Sequence, residues 1–289
     1  MQSIVMQLYN QAIDVVMLTK NSNKPWFRRV LTAIKRGIPV HHFIVVDGYS
    51  TDGTVDVVRE YFGDRVKVIE TKASLGCARY LGMRAVDTEW FAFIDSDVEI
   101  LPGWFKAALK YMKSSHIYGI QGVYKGSTVI SKHVQPLLSP KKYLSIKDVI
   151  KNGIVKLYGA DTAHVLLRKE VTRLINPTFL CRLECGEDAY IAWKIIEAGY
   201  IYVKTSELQA IHYSSPEIVL SKALRRSFGY NGIFYDIPFH VYASSTTIRF
   251  LSHLLKRQVE FLAYLTNLIG SSVSFTKTVR LERLCREGV

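Results

Sequence analysis

The sequence predicts an α/β fold in which helices flank a mostly parallel, doubly wound sheet. Short apolar runs that are typical of buried strands alternate with segments of helical spacing through the N-terminal part of the chain. Strands covered on both faces produce such continuous apolar runs, as over 13–19 and 90–94. With 289 residues, the chain is long enough for one or two domains with a sizeable core.

The predicted elements follow one another in a regular order. Strands are predicted over 13–19, 42–47, 66–69 and 90–94, and helices over about 25–36, 54–62 and 76–86. The second helix has a capping turn, Thr51-Asp52-Gly53, before it and Gly63 as its stop. We further expect a helix over 102–113, a strand over 163–167, a helix over 187–197 and a short strand over 201–203. Beyond Pro216 the pattern is mainly helical.

The net charge of +13 is concentrated in one stretch. Ten lysines and a single acid, Asp148, lie between Phe105 and Leu157. They could form an ordinary solvated surface, but so large a local excess favours an anionic partner. Nucleic acid is not expected, because arginine clusters with interleaved aromatic residues and known binding motifs are missing. An anionic membrane surface is the better prediction.

The spacing of the cysteines and the length of the apolar segments indicate the cellular compartment in which the protein is expected. Four cysteines without even, close spacing do not form a disulfide framework, so a reducing cytosol is expected. Cys181 and Cys185 have no second pair nearby, which argues against a zinc site. The N-terminus has no signal-peptide pattern, and no run reaches the ~18 uncharged apolar residues of a membrane span. We therefore expect a cytoplasmic protein.

Two carboxylates follow the predicted strand over 90–94 directly, in Asp95-Ser96-Asp97. Open α/β sheets bind ligands at the carboxyl ends of their strands. Two hard oxygen ligands at that edge can hold Mg²⁺ or Mn²⁺, and the metal can hold a diphosphate. The alternative is a helix N-terminus with acidic caps, opened by Pro102.

Four separated segments occur in a fixed order along the chain. They are Val46-Asp47-Gly48-Tyr49-Ser50-Thr51-Asp52-Gly53-Thr54, Gly76-Cys77-Ala78-Arg79-Tyr80-Leu81-Gly82, Asp95-Ser96-Asp97, and Gly186-Glu187-Asp188 with Trp193-Lys194 and Ala198-Gly199-Tyr200 after it. In order and spacing, they resemble the motifs of family-two glycosyltransferases over about Asp14 to His212. The chain departs from the family pattern at Gly48, where a second Asp is commoner, and at Tyr80, where Asn is usual.

The resemblance implies the GT-A fold and a hexosyltransferase-like, inverting transfer of a sugar from a nucleotide donor. A UDP-sugar is favoured and a GDP-sugar is possible, with Mn²⁺ or Mg²⁺ as cofactor. On this basis residues 1–215 form the catalytic domain, with a nucleotide-sugar half over about 11–115 and an acceptor half over about 116–215. Residues 216–289 form a helical, amphipathic C-terminal region.

The resemblance also assigns residues to the donor site. Asp47 is expected to bind the base or ribose, although it could instead cap the following turn. Arg79 is expected to bind the base or a phosphate oxygen as a planar donor, with a surface ion pair as the alternative. The remaining predicted donor-binding residues are Thr19, Asn21, Asp95, Ser96, Arg225 and Arg226. The two arginines could equally lie on a solvated helix face.

The predicted metal ligands are Asp95, Asp97 and His212. Asp97 is the expected direct ligand, whereas Asp95 could contact the ribose or a metal-bound water. His212 could be a third ligand, bind the diphosphate or be structural. The metal would neutralise charge on the departing nucleoside diphosphate.

Asp188 is the predicted general base, because an inverting transfer needs one carboxylate to take the proton of the acceptor hydroxyl. Glu187 would orient the acceptor or the base. The alternative is that both acids only open a helix, where the helix dipole favours them. His164, in the segment 159–164, is expected either at the wall of an acceptor pocket or in the core.

The C-terminal region predicts attachment to a membrane surface. Apolar residues recur at helical spacing from Ile248 to Leu265, residues 261–275 are uncharged, and four basic residues follow. Such a segment suits the plane of a membrane interface, although packing on the catalytic domain or on a dimer partner is the commoner role. The expected acceptor is then lipid-linked, with a soluble saccharide as the alternative. The oligomeric state stays open.

Two other functions remain possible at this stage. A sugar nucleotidyltransferase would carry a glycine-rich basic loop after the first strand, and Leu18-Thr19-Lys20-Asn21-Ser22 has no glycine. A non-catalytic nucleotide-sugar-binding protein would be expected to lack metal or catalytic acids, and both sets are present.

Overall fold

The structure is a computed structural model that describes residues 12–125, 135–136, 160–183 and 186–213. Most of the lysine-rich stretch, Arg225, Arg226 and the predicted C-terminal helices lie outside these residues. The predicted domain boundary at 215/216 also lies outside them.

The described strands, numbered in chain order, are β1 (Ile13–Thr19), β2 (Val40–Asp47), β3 (Val66–Glu70), β4 (Trp90–Ile94), β5 (Val98–Ile100), β6 (Ile117–Tyr124), β7 (Gln135–Pro136), β8 (His164–Arg168) and β9 (Ile201–His212). The described helices are α1 (Phe27–Gly37), α2 (Thr54–Phe62), α3 (Leu75–Arg84), α4 (Trp104–Met112), α5 (Val171–Leu174), α6 (Pro177–Leu180) and α7 (Glu187–Glu197). A short 3₁₀ turn, Gly63–Arg65, joins α2 to β3.

All described strands belong to one sheet, in the order β3-β2-β1-β4-β8-β6-β9-β5, with β7 pairing to β9. The first four strands are parallel neighbours, as the alternation of apolar strands and helices predicts. Beyond β4 the sheet becomes mixed: β8 is antiparallel to β4 and β6, while β6 and β9 are parallel. The predicted α/β architecture is confirmed.

Helices cover both faces of the sheet, each over its own apolar core. One core joins β1 and β2 to α1, α2 and α4, around Phe27, Phe43 and Trp104. The other joins the opposite faces of these strands to α3 and α5–α7, around Phe93 and Ile191. Residues of β1 alternate between the two cores, which is why the strand is apolar along its length.

Two strands differ from the expectation. The strand predicted over 201–203 continues to His212, and its exposed and buried residues alternate through the second half. The strand β5, which the sequence did not predict, begins directly after Asp97 and pairs with the end of β9. Asp95 and Asp97 therefore lie in a turn between strands, and α4 begins only at Trp104. The alternative of an acidic helix cap for this motif is wrong.

Cys77 of α3 and Cys181, directly after α6, form a disulfide across 104 residues of sequence. This pairing contradicts the expectation from cysteine spacing and removes that reason for assigning a reducing compartment. The two residues meet because α3 packs against α6, a contact between distant segments that spacing does not reveal. Among the described residues, no helix is long and apolar enough to cross a membrane.

Candidate active site

The predicted site residues converge at the carboxyl ends of the parallel strands. Thr19 and Asp47, the last residues of β1 and β2, are register partners, and Asp95 follows β4. The backbone N–H of Asp95 donates to the carbonyl of Ala163 at 2.9 Å, which brings the segment before β8 to the same edge. Ligands of open α/β sheets bind at this edge.

Asp47 is buried and bonded within its own turn. One carboxylate oxygen accepts hydrogen bonds from the hydroxyls of Thr19 and Ser50, both at 2.6 Å, and the other accepts from the Ser50 N–H at 2.6 Å. The structure therefore displays the alternative, turn-capping role. Contact between Asp47 and a nucleotide stays a prediction.

The loops after β1, β2 and β4 are joined by polar contacts. The Asn21 N–H donates to the Ser50 hydroxyl at 2.8 Å, and the Asn21 side-chain oxygen accepts from the Thr51 N–H at 2.9 Å. The Ser96 hydroxyl donates to that of Ser22 at 2.9 Å. Asn21 has a φ of 50°, a left-handed conformation that non-glycine residues rarely adopt outside tight or functional sites.

Arg79 connects the first acidic motif with the second. Its side chain is 3% exposed; Nη2 donates to Asp95 Oδ1 at 2.8 Å, and Nε lies 3.8 Å from Glu187 Oε1. The guanidinium also lies over the ring of Phe93, 4.8 Å from its centroid. Within the described residues, the buried atoms Nε and Nη1 have no hydrogen-bond partner. The surface ion pair considered from sequence is wrong, because Arg79 is a buried cation among acids.

Close packing of α3 holds Arg79 in this position. A Cβ added at Gly82 would lie 2.5 Å from Val16 Cγ1, and one at Gly76 would lie 2.1 Å from the Leu180 carbonyl oxygen. Both contacts are shorter than any side chain tolerates. The two glycines of this segment therefore let α3 approach the sheet and α6.

The second acid pair opens α7, after Gly186 with a φ of 81°. Burial raises the pKa of Glu187, and the nearby Arg79 only partly offsets this. The pKa of Asp188 is raised well above its usual range by burial and by the charges of Glu187 and Asp161. Asp188 accepts one hydrogen bond, from the Ala189 N–H at 2.7 Å. Desolvation and two neighbouring negative charges, with one hydrogen-bond donor beside them, favour the neutral form of this half-buried carboxyl.

Asp161 is a site residue that the sequence did not single out. Its Oδ2 accepts from the Tyr124 hydroxyl at 2.5 Å and its Oδ1 from the Ala163 N–H at 2.7 Å. Its charge contributes to the raised pKa values of Asp95, Glu187 and Asp188. The only signal in the sequence was its place in the segment 159–164, beside His164.

His164 itself belongs to the core rather than to a pocket wall. It is fully buried, and its Nδ1 accepts from Trp104 Nε1 at 3.3 Å. Burial lowers its pKa to about 4, so the ring is neutral at physiological pH. The core role, one of the two considered from sequence, describes this residue.

Asp97 and His212 form a second contact of the acidic motif, beside the ion pair of Asp95 with Arg79. His212 Nε2 lies 3.3 Å from Asp97 Oδ2, and this carboxylate raises the pKa of the ring. The other face of His212 stacks on Tyr124, with centroids 5.1 Å apart. Tyr124 thereby links His212 to Asp161.

A carboxylate and an imidazole side by side fit a divalent cation such as Mn²⁺. Asp97 and His212 are the compact pair, whereas Arg79 occupies Asp95 Oδ1. Within the described residues, Asp95 does not join these two in a set of three ligand atoms closer than 4.8 Å. The donor chemistry fits a metal held by Asp97 and His212, with Asp95 set back.

A separate cleft of about 860 Å³ lies between α1 and α4. Its basic lining residues are Arg28, Arg29, Lys35, Arg36 and Lys106. Glu99 of β5, two residues after Asp97, also lines this cleft. The acids of the candidate active site do not line it: Asp47, Asp95, Asp97, Asp161, Glu187 and Asp188. The candidate active site is therefore the acid cluster, and not this cleft.

The model of glycosyl transferase family 2 matches residues 14–171, more than half of the chain. The Pre-mycofactocin glycosyltransferase of Mycobacterium tuberculosis is 25% identical over an alignment of 206 residues, which covers 65% of this chain and 39% of that protein. The chain thus spans well under half of the length of this curated relative.

Solved structures show the same fold at low sequence identity. S. aureus TarS residues 1–349 in complex with UDP-GlcNAc matches with a TM-score of 0.55 and 16% identity, over 92% of this chain and 81% of that one. Glucosyl-3-phosphoglycerate synthase from M. tuberculosis, in complex with Mn²⁺, UDP and glucosyl-3-phosphoglycerate, matches with a TM-score of 0.56 and 13% identity, over 81% and 85%. GalNAc-T7 with UDP, GalNAc and Mn²⁺ gives 0.54 and 13%, over 71% and 44%.

The likeness to these structures confirms the GT-A fold expected from the sequence motifs. The family match covers the strand, helix and turn that carry Asp47, Arg79, Asp95 and Asp97. The chain belongs to glycosyl transferase family 2.

Proposed function

We propose that this protein transfers a sugar from a UDP-sugar to an acceptor with inversion, assisted by a divalent metal. One observation carries the proposal: buried Arg79 contacts Asp95 of the first acid motif and lies 3.8 Å from Glu187 of the second. Two acid pairs far apart in sequence therefore meet around one cation. The first pair is suited to the nucleotide and metal, and the second to the acceptor.

The metal would be held by Asp97 and His212. When bound, it would supply positive charge to the diphosphate leaving group. Asp95 would keep its ion pair with Arg79 and contact the ribose or a metal-bound water. This division of roles is supported by Arg79 already occupying one oxygen of Asp95.

Arg79 is suited to bind the donor as well as to fix Asp95. Its Nε and Nη1 have no hydrogen-bond partner among the described residues, although both atoms are buried. Buried guanidinium N–H groups without a partner are costly, and a phosphate oxygen or a base carbonyl would satisfy them. Asp47 would shape the nucleotide turn through Thr19 and Ser50, in addition to any contact of its own.

Asp188 would take the proton of the acceptor hydroxyl. A general base is most effective when its pKa lies near the working pH, and the environment of Asp188 raises its pKa in that direction. Glu187, bound electrostatically to Arg79, would position the base. Asp161, held by Tyr124, would face the acceptor and keep the pKa of Asp188 high.

UDP is the favoured nucleotide, because each of the three structural neighbours described above contains UDP or UDP-GlcNAc. A GDP-sugar remains the alternative donor. Mn²⁺ is the favoured metal for the same reason and because imidazole joins the carboxylate.

A lipid-linked acceptor at a membrane surface is the favoured acceptor, and a soluble saccharide is the alternative. Its support comes from the sequence: the lysines of 105–157 and the amphipathic pattern from 248 onward. Flotation with anionic vesicles should show binding that weakens with salt and with Leu255→Ser plus Leu262→Ser. Failure to float at low salt would remove the membrane proposal while leaving glycosyl transfer untouched.

The experiment for the activity is a panel of nucleotide sugars with Mn²⁺, in which release of the nucleoside diphosphate is measured with and without acceptors. We expect turnover with one UDP-sugar and loss of turnover in Asp97→Ala. Cleavage of the diphosphate bond of a nucleotide sugar by pyrophosphate, giving a nucleoside triphosphate and an intact sugar 1-phosphate, would instead identify a nucleotidyltransferase. Binding without turnover on any acceptor tested would favour a non-catalytic protein.

A further inference from the structure

The amino ends of the parallel strands, opposite the proposed active site, hold a cluster that plays no part in the proposed reaction. Asp14 lies at the start of β1, and His41 and His42 lie at the start of β2. Thr19 and the acid cluster lie at the other end of β1, ~16 Å away for five residues of extended strand. Whatever this cluster binds is therefore distinct from the metal of the active site.

A bulge between parallel strands brings both histidines to the same aspartate. Ile13 is the register partner of Val40 and Val15 that of Phe43, so two residues of β2 face the single Asp14. Successive side chains of a regular strand point to opposite faces, which would separate His41 from His42. Bulges are rare between parallel strands and re-aim side chains, often at functional sites. Here the two rings lie 3.9 Å apart and nearly perpendicular.

The distances within the cluster are those of metal ligands. Asp14 Oδ1 lies 3.0 Å from His41 Nδ1 and 3.4 Å from His42 Nδ1, and the three atoms lie within 4.8 Å of one another. A tetrahedral ion with bonds of about 2.0–2.1 Å separates its ligand atoms by about 3.3 Å. In the part of the chain that the structure describes, the buried His42 Nδ1 has no hydrogen-bond partner. Asp87 Oδ2 lies 3.5 Å from His42 Nδ1, but it accepts from Lys67 Nζ at 2.6 Å and does not belong to the set of three ligand atoms.

We propose that Asp14, His41 and His42 bind a structural divalent transition-metal ion of the zinc class, with water as the fourth ligand. Two imidazole nitrogens and a carboxylate oxygen favour Zn²⁺, Co²⁺ or Ni²⁺ over Mg²⁺. The ion would fix the bulge of β2 to the segment before β4, because Asp14 Oδ2 already accepts from the N–H groups of Asp87 and Thr88. The alternative is a purely hydrogen-bonded cluster.

The test uses the full chain without a polyhistidine tag, stripped with a chelator and titrated with Co²⁺ and Zn²⁺. We expect the wild-type protein to bind Co²⁺ with the visible absorption of a tetrahedral nitrogen–oxygen site, and Zn²⁺ to displace it. Replacing His42 by Gln, or His41 by Gln, should weaken this binding at least about 100-fold, since even changes behind a ligand cost 10–100-fold. His116→Gln, an exposed histidine outside the cluster, should bind like the wild type.

Two further measurements keep the outcome clear. Asp97→Ala should retain the cobalt spectrum, because it removes a ligand of the other site only. Zn²⁺ should raise the unfolding temperature of the wild type and of His116→Gln, but not of His42→Gln, which also checks that the variant is folded. Equal Zn²⁺ affinity in the wild type and both cluster variants, or no cobalt spectrum in the wild type, would overturn the proposal.

Discussion

Asp14 lies near the amino ends of the parallel strands, and Asp188 lies in the first turn of α7, near their carboxyl ends. Their surroundings move their pKa values in opposite directions. Burial alone would raise the pKa of Asp14, but hydrogen bonds from Asp87, Thr88, His41 and His42 outweigh it, and the pKa is lowered. Asp188 is half-buried, accepts one hydrogen bond within the described residues and has two other acids nearby, and its pKa is raised.

The difference shows that burial does not decide whether an acid is structural or reactive. What decides is the number of donors that the fold supplies to the charged form. The amino end of the sheet satisfies its aspartate with backbone N–H groups, and that aspartate joins three segments. At the carboxyl end, Asp188 accepts one hydrogen bond within the described residues while other acids lie nearby, and titratable groups with such raised pKa values are typical of functional sites.

The largest effect is expected from Asp188→Asn. The amide fills the same space but takes no proton, so turnover at saturating substrates should fall by ~10²–10⁴-fold. UDP affinity, measured by calorimetry with Mn²⁺, should stay near the wild-type value. Asp64→Asn, at an exposed position, is the matched control. Turnover within a few-fold of the wild type would remove Asp188 from the role of base.

Arg79→Gln should affect both binding and stability. Removing one partner from a buried ion pair leaves uncompensated carboxylates, and we expect a loss of about 3 kcal/mol in the free energy of unfolding. Urea denaturation measures this loss, and calorimetry should show weakened UDP binding. Arg28→Gln breaks an exposed pair with Glu60 and should change either quantity far less. Equal effects of the two substitutions would contradict the central place given to Arg79.

Asp14→Asn should destabilise the fold without needing any role in the reaction. The amide group faces N–H donors that the carboxylate satisfied, and each unsatisfied buried donor costs about 1–3 kcal/mol. Urea denaturation in a chelating buffer separates this loss from any bound metal. Asp56→Asn, on the exposed side of α2, is the control. An unchanged free energy of unfolding would show that Asp14 is not a structural acid.

The pH dependence of stability should differ in sign between the two acids. The lowered pKa of Asp14 contributes stability above its unfolded pKa of ~3.9 and loses it as pH falls through the folded pKa. The raised pKa of Asp188 contributes stability that is full below ~3.9 and is lost as pH rises through the folded pKa.

Asp188→Asn should therefore gain stability relative to the wild type as pH rises above ~3.9, whereas Asp14→Asn should lose stability relative to the wild type as pH rises towards ~3.9 from below. Metal-free unfolding curves at several pH values give both differences. If the stability of both variants relative to the wild type changed with pH in the same direction, the contrast drawn between Asp14 and Asp188 would be wrong.

The fold was largely predictable, because parallel strands covered on both faces are apolar throughout. The strands β1 and β4 and the helix α7 have the predicted bounds. The strand β5 was missed because it has three residues, with Glu99 in the middle, and depends on pairing with β9. The second half of β9 was missed because its outward residues are polar.

The site was predictable only where a motif carried it. Asp95, Asp97, Arg79 and the pair at the start of α7 were found through resemblance, and the structure brings them together. Asp161 was not found, because its partner Tyr124 lies 37 residues away and neither residue belongs to a motif. The cluster at Asp14 depends on a bulge in strand register, which the sequence pattern does not show.

The most direct test of glycosyl transfer at the acid cluster is UDP release from a panel of UDP-sugars with Mn²⁺, for the wild type, Asp188→Asn and Asp97→Ala. We expect acceptor-dependent release by the wild type. Asp188→Asn should lose that release but still bind UDP, and Asp97→Ala should lose metal-dependent UDP binding. Acceptor-dependent release that is equal in all three proteins would contradict it.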